Sequence, residues 1–367
     1  MNPEGGGHDR ERIAVVLFNL GGPDRLEAVR PFLRNLFADS AIIGLPQPLR
    51  GVLAEFISRR RALVARAIYA RIGGGSPLLA ETDQQARALE AVLEAQGRDA
   101  RCFVAMRYWH PRAPATVAAV KRFAPDRIVL LPLYPQYSTT TSQSSLDEWQ
   151  RTAHGAGLNA STAAVCCYPT DPGFVAALSA LLAAGISEAA SLAPTPPRVL
   201  FSAHGLPKRI VDRGDPYAWQ VEQTAAACIA RLGTTVAAPV DHVVCYQSRV
   251  GPLAWLGPSI DDELVRAAAD RVPVVVVPIA FVSEHSETLV ELDMDYRERA
   301  AHLGVPGYYR VPTVGTHPAF IAGLAQLVGS ALSHSSAQPS ALAPATGARL
   351  CPRAFRRCPC RAPGPSA

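Results

Sequence analysis

The segment 278–300, PIAFVSEHSETLVELDMDYRERA, joins one histidine, His285, to a run of closely spaced carboxylates. These are Glu284, Glu287, Glu291, Asp293, Asp295 and Glu298. On an α-helix, all of them except Asp293 fall within an arc of roughly 80°. Such a row is either the solvated face of an amphipathic helix or a site for a cation, since like charges four residues apart repel. Carboxylates beside an imidazole suit a divalent metal such as Fe²⁺.

His204 marks a second place where chemistry is possible, in the stretch FSAHGLPKRIVDRGDPY (201–217). The apolar run 198–203 predicts a strand, and Gly205 and Pro207 turn the chain directly after the histidine. Ligands of α/β proteins bind at the carboxyl ends of parallel strands. His204 is therefore either a reactive group or a structural histidine.

Other predicted strand ends carry groups that could bind a ligand. In MRYWHP (106–111), Arg107 requires an anion if it is buried, which predicts a clamp for an acidic ligand. In LPLYPQYSTTTSQSS (131–145), two tyrosines and a hydroxyl-rich turn either line a ligand site or cap the next helix. The glycine turns NLGGPD (19–24) and RIGGGSP (71–77) offer amides to an anion or are plain loops, and the first does not match the dinucleotide motif G-x-G-x-x-G.

Strand-like and helix-like segments alternate along the chain, which predicts an α/β fold with parallel sheets. The apolar runs lie at 13–19, 101–106, 127–133, 162–168, 198–204, 241–246 and 272–281, and the amphipathic patterns at 82–95, 112–123, 216–231 and 259–270. The strands form two groups, 13–133 and 162–311, so we predict two Rossmann-like, doubly wound domains with a cleft between them. We place these domains at 8–138 and 139–330, followed by a flexible linker at 331–350 and a cysteine-rich tail at 351–367.

Composition favours a soluble globular protein without a nucleic-acid partner. Of the 367 residues, 49% are hydrophobic and 18% are charged, and the net charge of +5 comes from arginines scattered among acids. The N-terminal stretch MNPEGGGHDRER lacks the apolar core of a secretory signal, and no apolar run reaches about 18 residues. We therefore expect a cytoplasmic protein without a membrane-spanning helix.

Segment 41–61, AIIGLPQPLRGVLAEFISRRR, interrupts the alternation of strands and helices. It is apolar, contains two prolines and ends in three arginines. It is either a helical excursion packed on the core or an exposed apolar lip beside a pocket or a membrane, with its arginines facing anionic groups.

The cysteines divide into two kinds. Three lie in apolar surroundings and are predicted to be ordinary buried thiols: Cys102, Cys228 and Cys245. The others are an adjacent pair and a crowded group in the tail: Cys166 and Cys167, then Cys351, Cys358 and Cys360. In a reducing cytosol, such a tail suggests a metal more than disulfides.

Taken together, the motifs resemble those of ferrochelatases, enzymes that insert ferrous iron into a porphyrin to make haem. They occur in the family's order over about residues 13–330, as LFNLGGPD, RIGGGSPL, MRYWHP, LYPQYSTTTSQSS, FSAHGLP, YQSRVGPLAWLGPS and PIAFVSEHSETLVELDMDY. The resemblance implies two Rossmann-like domains with the porphyrin in the cleft. It also implies that 41–61 is a hydrophobic lip that meets the membrane and admits the porphyrin, which favours protoporphyrin over coproporphyrin. We expect a monomer or a homodimer.

The resemblance also assigns roles to individual residues. His204 and Glu287 form the central pair, in which the histidine either accepts a pyrrole proton or ligates the incoming metal. Glu291 and Asp295 extend an acidic path for metal or protons, which His285 and Glu284 flank. The implied pocket-lining residues are Asn19, Leu20, Tyr69, Arg107, Tyr108 and Tyr137, and those near the propionates are Arg60, Arg61 and Ser76.

Some members of this family carry a [2Fe–2S] cluster, held by three C-terminal cysteines and one internal cysteine. The tail CPRAFRRCPC, with Cys351, Cys358 and Cys360, resembles the bacterial type of this arrangement. Thr139 occupies the place of the animal-type internal ligand, so we expect Cys166 or Cys167 as the fourth ligand, with Cys167 preferred.

Three other functions are consistent with the same features. They are a porphyrin or haem carrier without catalysis, a chelatase for another tetrapyrrole or metal such as cobalt, and a two-lobed substrate-binding protein. The missing secretory signal disfavours the last of these.

Overall fold

The computed structural model describes residues 11–233, 239–249, 253–334, 342–343 and 349–360. Several predicted segments reach beyond these ranges. Residues 8–10 of the predicted first domain, 250–252 of the YQSRVGPLAWLGPS motif, 335–341 and 344–348 of the predicted linker, and 361–367 of the tail lie outside the described residues.

Parallel strands form a first sheet in the order β2-β1-β3-β4-β9. The strands are β1 Arg12–Asn19, β2 Asp99–Met106, β3 Arg127–Pro132, β4 Ser161–Val165 and β9 Leu342–Ala343. The central strand β1 is buried from Ile13 to Asn19, which explains its unbroken apolar run. Strands covered on both faces do not need to alternate apolar and polar residues.

A second parallel sheet has the order β6-β5-β7-β8. Its strands are β5 Arg198–His204, β6 His242–Gln247, β7 Val274–Pro278 and β8 Tyr308–Arg310. This order repeats the order of the first four strands, β2-β1-β3-β4. The prediction of an α/β fold with two Rossmann-like, doubly wound parallel sheets is confirmed.

Helices connect the strands and cover the sheets. In chain order they are α1 Val29–Phe37, α2 Gln47–Ala70, α3 Leu78–Ala95, α4 Ala113–Phe123, α5 Ser142–Gly155, α6 Pro172–Ala190, α7 Lys208–Asp212, α8 Tyr217–Leu232, α9 Ile260–Asp270, α10 Tyr296–Leu303 and α11 Pro318–His334. A short 3₁₀-helix spans Leu26–Ala28, and a π-helix spans Glu287–Asp295. In the predicted excursion at 41–61, residues 41–46 form turns and residues 47–61 are the start of the long helix α2.

Segments that the sequence pattern assigned to the second group of strands or to the linker belong to the first sheet. The strand predicted at 162–168 lies not in the second group but in the first sheet, where β4 pairs with β3. Near the other end of the chain, α11 packs on α3, β3 and β4. The predicted linker at 331–350 starts within α11 and contributes β9 to the edge of the first sheet. Strand β4 and the C-terminal elements α11 and β9 therefore connect the two predicted domains.

A common hydrophobic core lies between the sheets. It contains Val15 and Leu17 of β1 together with Phe201 of β5 and Val275 of β7, all fully buried. Separate smaller cores cover the outer faces of each sheet. Because one core joins both lobes, the cleft between their strand ends has rigid walls.

By length and composition alone, helix α6 is long and apolar enough to cross a membrane, and the expectation that no helix does so stays a prediction. It packs against α8 and α11. A side chain at Gly173 of α6 would come within 2.4 Å of Ala319 O and 2.8 Å of Gly323 Cα on α11. This tight packing of small residues is typical of a core helix and accounts for its apolar sequence.

The shared strand order places two residues at equivalent positions. The chain changes its winding direction beside β1 in one sheet and beside β5 in the other. Open α/β sheets bind ligands in the crevice beyond the carboxyl ends of such strands. Asn19 ends β1 and His204 ends β5, so both lie where the fold favours a ligand site.

Candidate active site

A cavity of about 1190 Å³ lies beyond the carboxyl ends of both sheets. Asn19 and Leu20 line it from the end of β1, and His204 lines it from the end of β5. Apolar side chains of α1 and α2 form one wall, and the π-helix with the turn before it forms the wall opposite. A pocket of this size and lining accommodates a large flat organic ligand.

His204 and Glu287 form a hydrogen-bonded pair of ionisable groups in this cavity. The imidazole Nδ1 lies 2.9 Å from Glu287 Oε2. His285 Nε2 lies 3.8 Å from the same oxygen. Tyr217 fixes the strand end by donating a hydrogen bond to the His204 carbonyl at 3.1 Å. One carboxylate oxygen therefore lies close to two imidazoles at the end of β5.

The pair is deep in the protein, yet its side chains face the open cavity. The His204 side chain is 41% exposed because it borders this cavity rather than the outer surface. Burial alone would lower the pKa of His204, but the Glu287 carboxylate outweighs burial and raises this pKa above 6.5. Burial would raise the pKa of Glu287, but the His204 and His285 rings lower it well below its usual range. The site therefore favours a proton on the imidazole and an ionised carboxylate.

The acidic row lies on a π-helix, not on the α-helix that the periodicity predicts. In a π-helix each hydrogen bond spans five residues, so residues four apart stay nearly in register along one side. Glu287, Glu291 and Asp295 accordingly all line the cavity. The Tyr308 hydroxyl donates a hydrogen bond to the Leu292 carbonyl and thereby satisfies one backbone group of the π-helix.

Glu291 is the second carboxylate along this row. Its oxygens accept hydrogen bonds from the Ser248 backbone amide at 2.8 Å and from Gln247 Nε2 at 3.2 Å. Burial raises the pKa of Glu291, and the charge of Glu287 raises it further. Asp295, at the far end, is half exposed and pairs with Arg71, which follows the end of α2. The row thus leads from the buried pair to solvent.

The remaining predicted acids of this segment do not face the cavity. Glu284 is turned toward Arg310 at 2.8 Å and accepts a hydrogen bond from the Thr313 amide at 3.0 Å. Burial would raise the pKa of Glu284, but Arg310 lowers it below its usual range. Glu298 is exposed on α10. Across the described ranges, no group of three or more Cys, His, Asp or Glu side chains is placed so that it could hold a metal ion.

Several residues predicted to contact the substrate do line the cavity. They are Asn19, Leu20, Arg61, Tyr69 and Ser76. Asn19 Nδ2 donates a hydrogen bond to Thr82 Oγ1 at 3.0 Å, so this amide is held in place by the protein. Burial raises the pKa of Tyr69 to about 12, so its phenol remains neutral.

Arg107 and Tyr108 are directed away from the cavity, contrary to prediction. Arg107 lies 2.8 Å from Asp39 and 3.0 Å from Glu148. The Tyr108 hydroxyl donates to the same Asp39 at 2.7 Å. The anion that a buried arginine requires is thus supplied by the protein, from residues distant in sequence. Sequence spacing alone could not reveal these partners.

Arg60 and Tyr137 also do not line the cavity. Arg60 is exposed on the outer face of α2, whereas its neighbour Arg61 reaches the cavity. Tyr137 points to the opposite side of its loop from Gln136 and Ser138, and it packs among buried cysteines. Neighbouring residues in an extended loop face opposite sides. The motif therefore lies at the cavity as predicted, but Tyr137 faces away from it.

Some cavity residues have only a weak signal in the sequence. Arg209 and Arg249 line the cavity from the second lobe, and Thr140 and Thr141 line it from the first. The threonines belong to the hydroxyl-rich turn for which the sequence predicts either a ligand site or a helix cap. The arginines follow directly after predicted strand ends, which was the available indication.

The cysteines of the tail are brought together with the adjacent pair at the end of β4. Tyr137 joins five buried thiols in one cluster: Cys166, Cys167, Cys351, Cys358 and Cys360. The neighbouring thiols, Cys166 first and then Cys351 and Cys360, hold the pKa of Cys358 well below the usual range of a thiol. The tail is docked, although the chain before it was predicted to be a flexible linker.

Comparison with known proteins adds a second kind of evidence. A family model described as Ferrochelatase matches residues 12–332. Proteins named ferrochelatase from Caulobacter vibrioides and Phenylobacterium zucineum are 52% and 53% identical to this chain, and each alignment covers at least 95% of this chain and 98% of the relative. A Wolbachia ferrochelatase is 50% identical over 86% of this chain and 98% of its own length. Among solved structures, Bacillus subtilis SirB with Fe³⁺ covers 89% of this chain and 96% of SirB, at 12% identity and a TM-score of 0.49.

The geometry predicts that Glu287 controls the protonation of His204. In a Glu287→Gln variant, the carboxylate is lost while burial remains, so the pKa of His204 falls below its wild-type value. The stability that this ion pair gives is present below pH 6.5 and is lost as the pH rises through the raised His204 pKa. NMR titration of the His204 ring measures the change, with exposed Glu298→Gln as control. An unchanged His204 titration in Glu287→Gln would contradict the assignment.

Proposed function

The chain belongs to the ferrochelatase family and is a ferro-lyase of haem biosynthesis that inserts Fe²⁺ into a porphyrin, and from this premise we propose how its cavity does so. The proposal rests on one observation. An imidazole and a carboxylate, 2.9 Å apart, border a cavity that is large enough for the macrocycle.

Insertion of the metal requires two protons to leave the porphyrin. A free-base porphyrin carries two pyrrole N–H groups, and Fe²⁺ replaces both protons, so the ring loses two protons for each metal gained. An acceptor must therefore stand close to the ring centre. In this cavity the neutral form of His204 is placed to take the first proton, because the ionised Glu287 beside it stabilises the imidazolium that forms, and that proton must leave before the next turnover.

Glu291 is the proposed acceptor of the second proton. Its raised pKa makes its carboxylate a better base than an exposed glutamate. Hydrogen bonds from Ser248 and Gln247 hold it one turn along from Glu287. From Glu291 the proton passes to solvent beside Asp295, at the cavity mouth.

The same row attracts the metal. His204, Glu287, Glu291 and Asp295 present imidazole nitrogen and carboxylate oxygen to the cavity, and these ligands suit Fe²⁺. Negative charge along one wall raises the local concentration of a divalent cation. We therefore assign the row two tasks, drawing Fe²⁺ inward and carrying protons outward.

Apolar side chains are proposed to contact the porphyrin macrocycle, and polar and cationic side chains its propionates. The walls from α1 and α2 are lined by Phe32, Ile57, Val64 and Ile68, which suits the face of a macrocycle. Arg61 and Ser76 line the same cavity and are proposed to hold the propionates.

The apolar lip favours protoporphyrin IX over the more charged coproporphyrin, and the product is then protohaem. The ratio of kcat/KM for the two porphyrins measures this preference, and a higher value for coproporphyrin would overturn it.

Replacement of Glu287 tests the mechanism. We expect Glu287→Gln to lower kcat for haem formation by about 10²-fold or more, because the imidazolium of His204 loses its counter-charge. Porphyrin binding, measured by fluorescence quenching, should change little. Glu298→Gln, an equivalent substitution outside the cavity, should retain wild-type turnover. Normal turnover by Glu287→Gln with porphyrin bound would refute a catalytic role for Glu287.

The exposed face of α2 is proposed to contact a membrane. Val52, Phe56 and Leu63 are 72%, 58% and 75% exposed, and Arg59 and Arg60 lie beside them. Apolar side chains flanked by arginines suit the interface of an anionic bilayer. The cavity opens next to this face, since Ile57 and Val64 of the same helix line it. We propose that the protein works in the cytoplasm, on the cytoplasmic face of the inner membrane, as a monomer or a homodimer.

Loss of the apolar side chains should weaken membrane binding. In Val52→Ser/Phe56→Ser, we expect several-fold less protein to co-sediment with vesicles that contain anionic phospholipid. The control is Val265→Ser on α9, where the valine is 51% exposed but outside this face. Equal sedimentation of all three proteins would contradict the assignment. Analytical ultracentrifugation of the same preparation measures the oligomeric state.

The cysteine cluster is proposed to hold the family's [2Fe–2S] group. The donor set fits, because five buried thiols meet and a buried amide, Gln220 Nε2, donates to two of their sulfurs. Cys351, Cys358 and Cys360 are proposed as three ligands, and the fourth is Cys166 or Cys167, which both lie in the same buried cluster, with Cys167 preferred. When bound, such a cluster supplies one-electron redox chemistry. No step of metal insertion depends on it here.

Anaerobic purification tests for this cluster. We expect a brown protein with visible absorption, iron and acid-labile sulfide, all lost in the Cys351→Ser/Cys358→Ser/Cys360→Ser variant. Cys228→Ser, a buried cysteine outside the cluster, is the matched control and should keep the colour. A colourless wild-type protein without sulfide would show that the thiols hold no cluster.

A further inference from the structure

Gln220 occupies an unusual position on α8. Its side chain is fully buried, and each end of its amide has partners in a different part of the protein. Nε2 donates hydrogen bonds to Cys167 Sγ at 3.3 Å and to Cys351 Sγ at 3.1 Å. Oε1 accepts a hydrogen bond from the Tyr137 backbone amide at 2.7 Å. Because a backbone N–H only donates, the oxygen must face Tyr137 and the NH₂ group must face the sulfurs.

Tyr137 belongs to the loop that forms part of the cavity wall. Its neighbours Gln136 and Ser138 line the cavity, while its own ring packs among the cysteines. Thr140, two residues further on, also lines the cavity. The bond from the Tyr137 amide to Gln220 therefore fixes a segment that has the thiols on one side and the substrate cavity on the other.

We propose that Gln220 is a positioning residue that links the thiol cluster to the cavity wall. Its carbonyl oxygen holds the loop through Tyr137, and its NH₂ group supports the sulfurs of Cys167 and Cys351. The second half of this proposal rests on the [2Fe–2S] group proposed above, and the first half does not. Because one planar amide makes both contacts, a shift of the two sulfurs should also shift the loop that contains Tyr137.

The two ends have separable consequences. Hydrogen bonds to cluster sulfurs stabilise the reduced, more negative state and raise the reduction potential. The bond to Tyr137 keeps the loop in the position at which Gln136 and Ser138 face the porphyrin. A substitution that removes only the donors should alter the cluster, and one that removes the acceptor as well should also alter porphyrin binding.

Two substitutions separate these effects. Gln220→Glu keeps the oxygen that accepts from Tyr137. An ionised carboxylate donates nothing to the sulfurs, and a protonated one donates a single bond, so at least one sulfur loses its donor. Gln220→Leu removes donors and acceptor together. Gln143→Glu is the control, since Gln143 Oε1 accepts from the Tyr137 hydroxyl at 2.7 Å and its only other side-chain bond is to Asp147.

The readouts are the reduction potential of the cluster by EPR-monitored titration and the porphyrin Kd by fluorescence quenching. We expect both Gln220 variants to show a lower potential. Only Gln220→Leu should raise the porphyrin Kd, by about fivefold, the change expected for one lost hydrogen bond. Gln143→Glu should keep the wild-type Kd and show a smaller shift of potential than Gln220→Glu.

Each half of the proposal can fail separately. Wild-type potentials in both Gln220 variants would overturn the role toward the sulfurs, and equal Kd values in all the proteins would overturn the role toward the loop. If the wild-type protein contains no iron or sulfide, the cluster assignment fails and the sulfur half fails with it, while the Kd comparison still decides the loop half. Should Gln220→Leu not fold, a wild-type Kd with a lowered potential in Gln220→Glu supports the proposal, and a raised Kd in that variant contradicts it.

Discussion

The hydrogen bond between His204 and Glu287 is the interaction on which the rest of the site depends. It joins the end of β5 to the first residue of the π-helix, and it sets the charge of both groups. An ionised carboxylate beside a buried imidazole makes that imidazole a stronger base than burial alone would allow. The acidic row begins at the same carboxylate. Without the pair, the π-helix would present carboxylates to the cavity but no group at the ring centre able to start proton transfer.

The repeated strand order explains why this pair lies where it does. β1 and β5 hold equivalent places in their sheets, and the residues that end them, Asn19 and His204, both line the cavity. Their roles differ because their partners differ. Asn19 is bonded to Thr82, and its side chain is fixed by the protein, whereas His204 is bonded to a carboxylate that changes its affinity for a proton. The repeated strand order thus places a side chain fixed by the protein, Asn19, at the end of one sheet and an ionisable side chain, His204, at the end of the other.

Much of this arrangement could be predicted from the sequence, and the failures have physical causes. The alternation of strand-like and helix-like segments predicted the parallel sheets. The position of His204 at the end of an apolar run left two alternatives open, a reactive group or a structural histidine. The pairing of β4 with the first sheet could not be predicted, because a buried strand carries no mark of its partner. The π-helix could not be predicted, because residues four apart lie near the same side of both an α-helix and a π-helix. Arg107 was misplaced because its partners, Asp39 and Glu148, are far away in sequence.

A double-mutant cycle tests the central claim most directly. The kcat/KM for Fe²⁺ insertion is measured for the wild type, His204→Ala, Glu287→Gln and the double variant, under anaerobic conditions and with porphyrin binding checked in each. If the two side chains act as one unit, the double variant should be no slower than the slower single variant, within about threefold. If the two losses multiply, the side chains act independently, and the account of a coupled imidazole and carboxylate would be wrong.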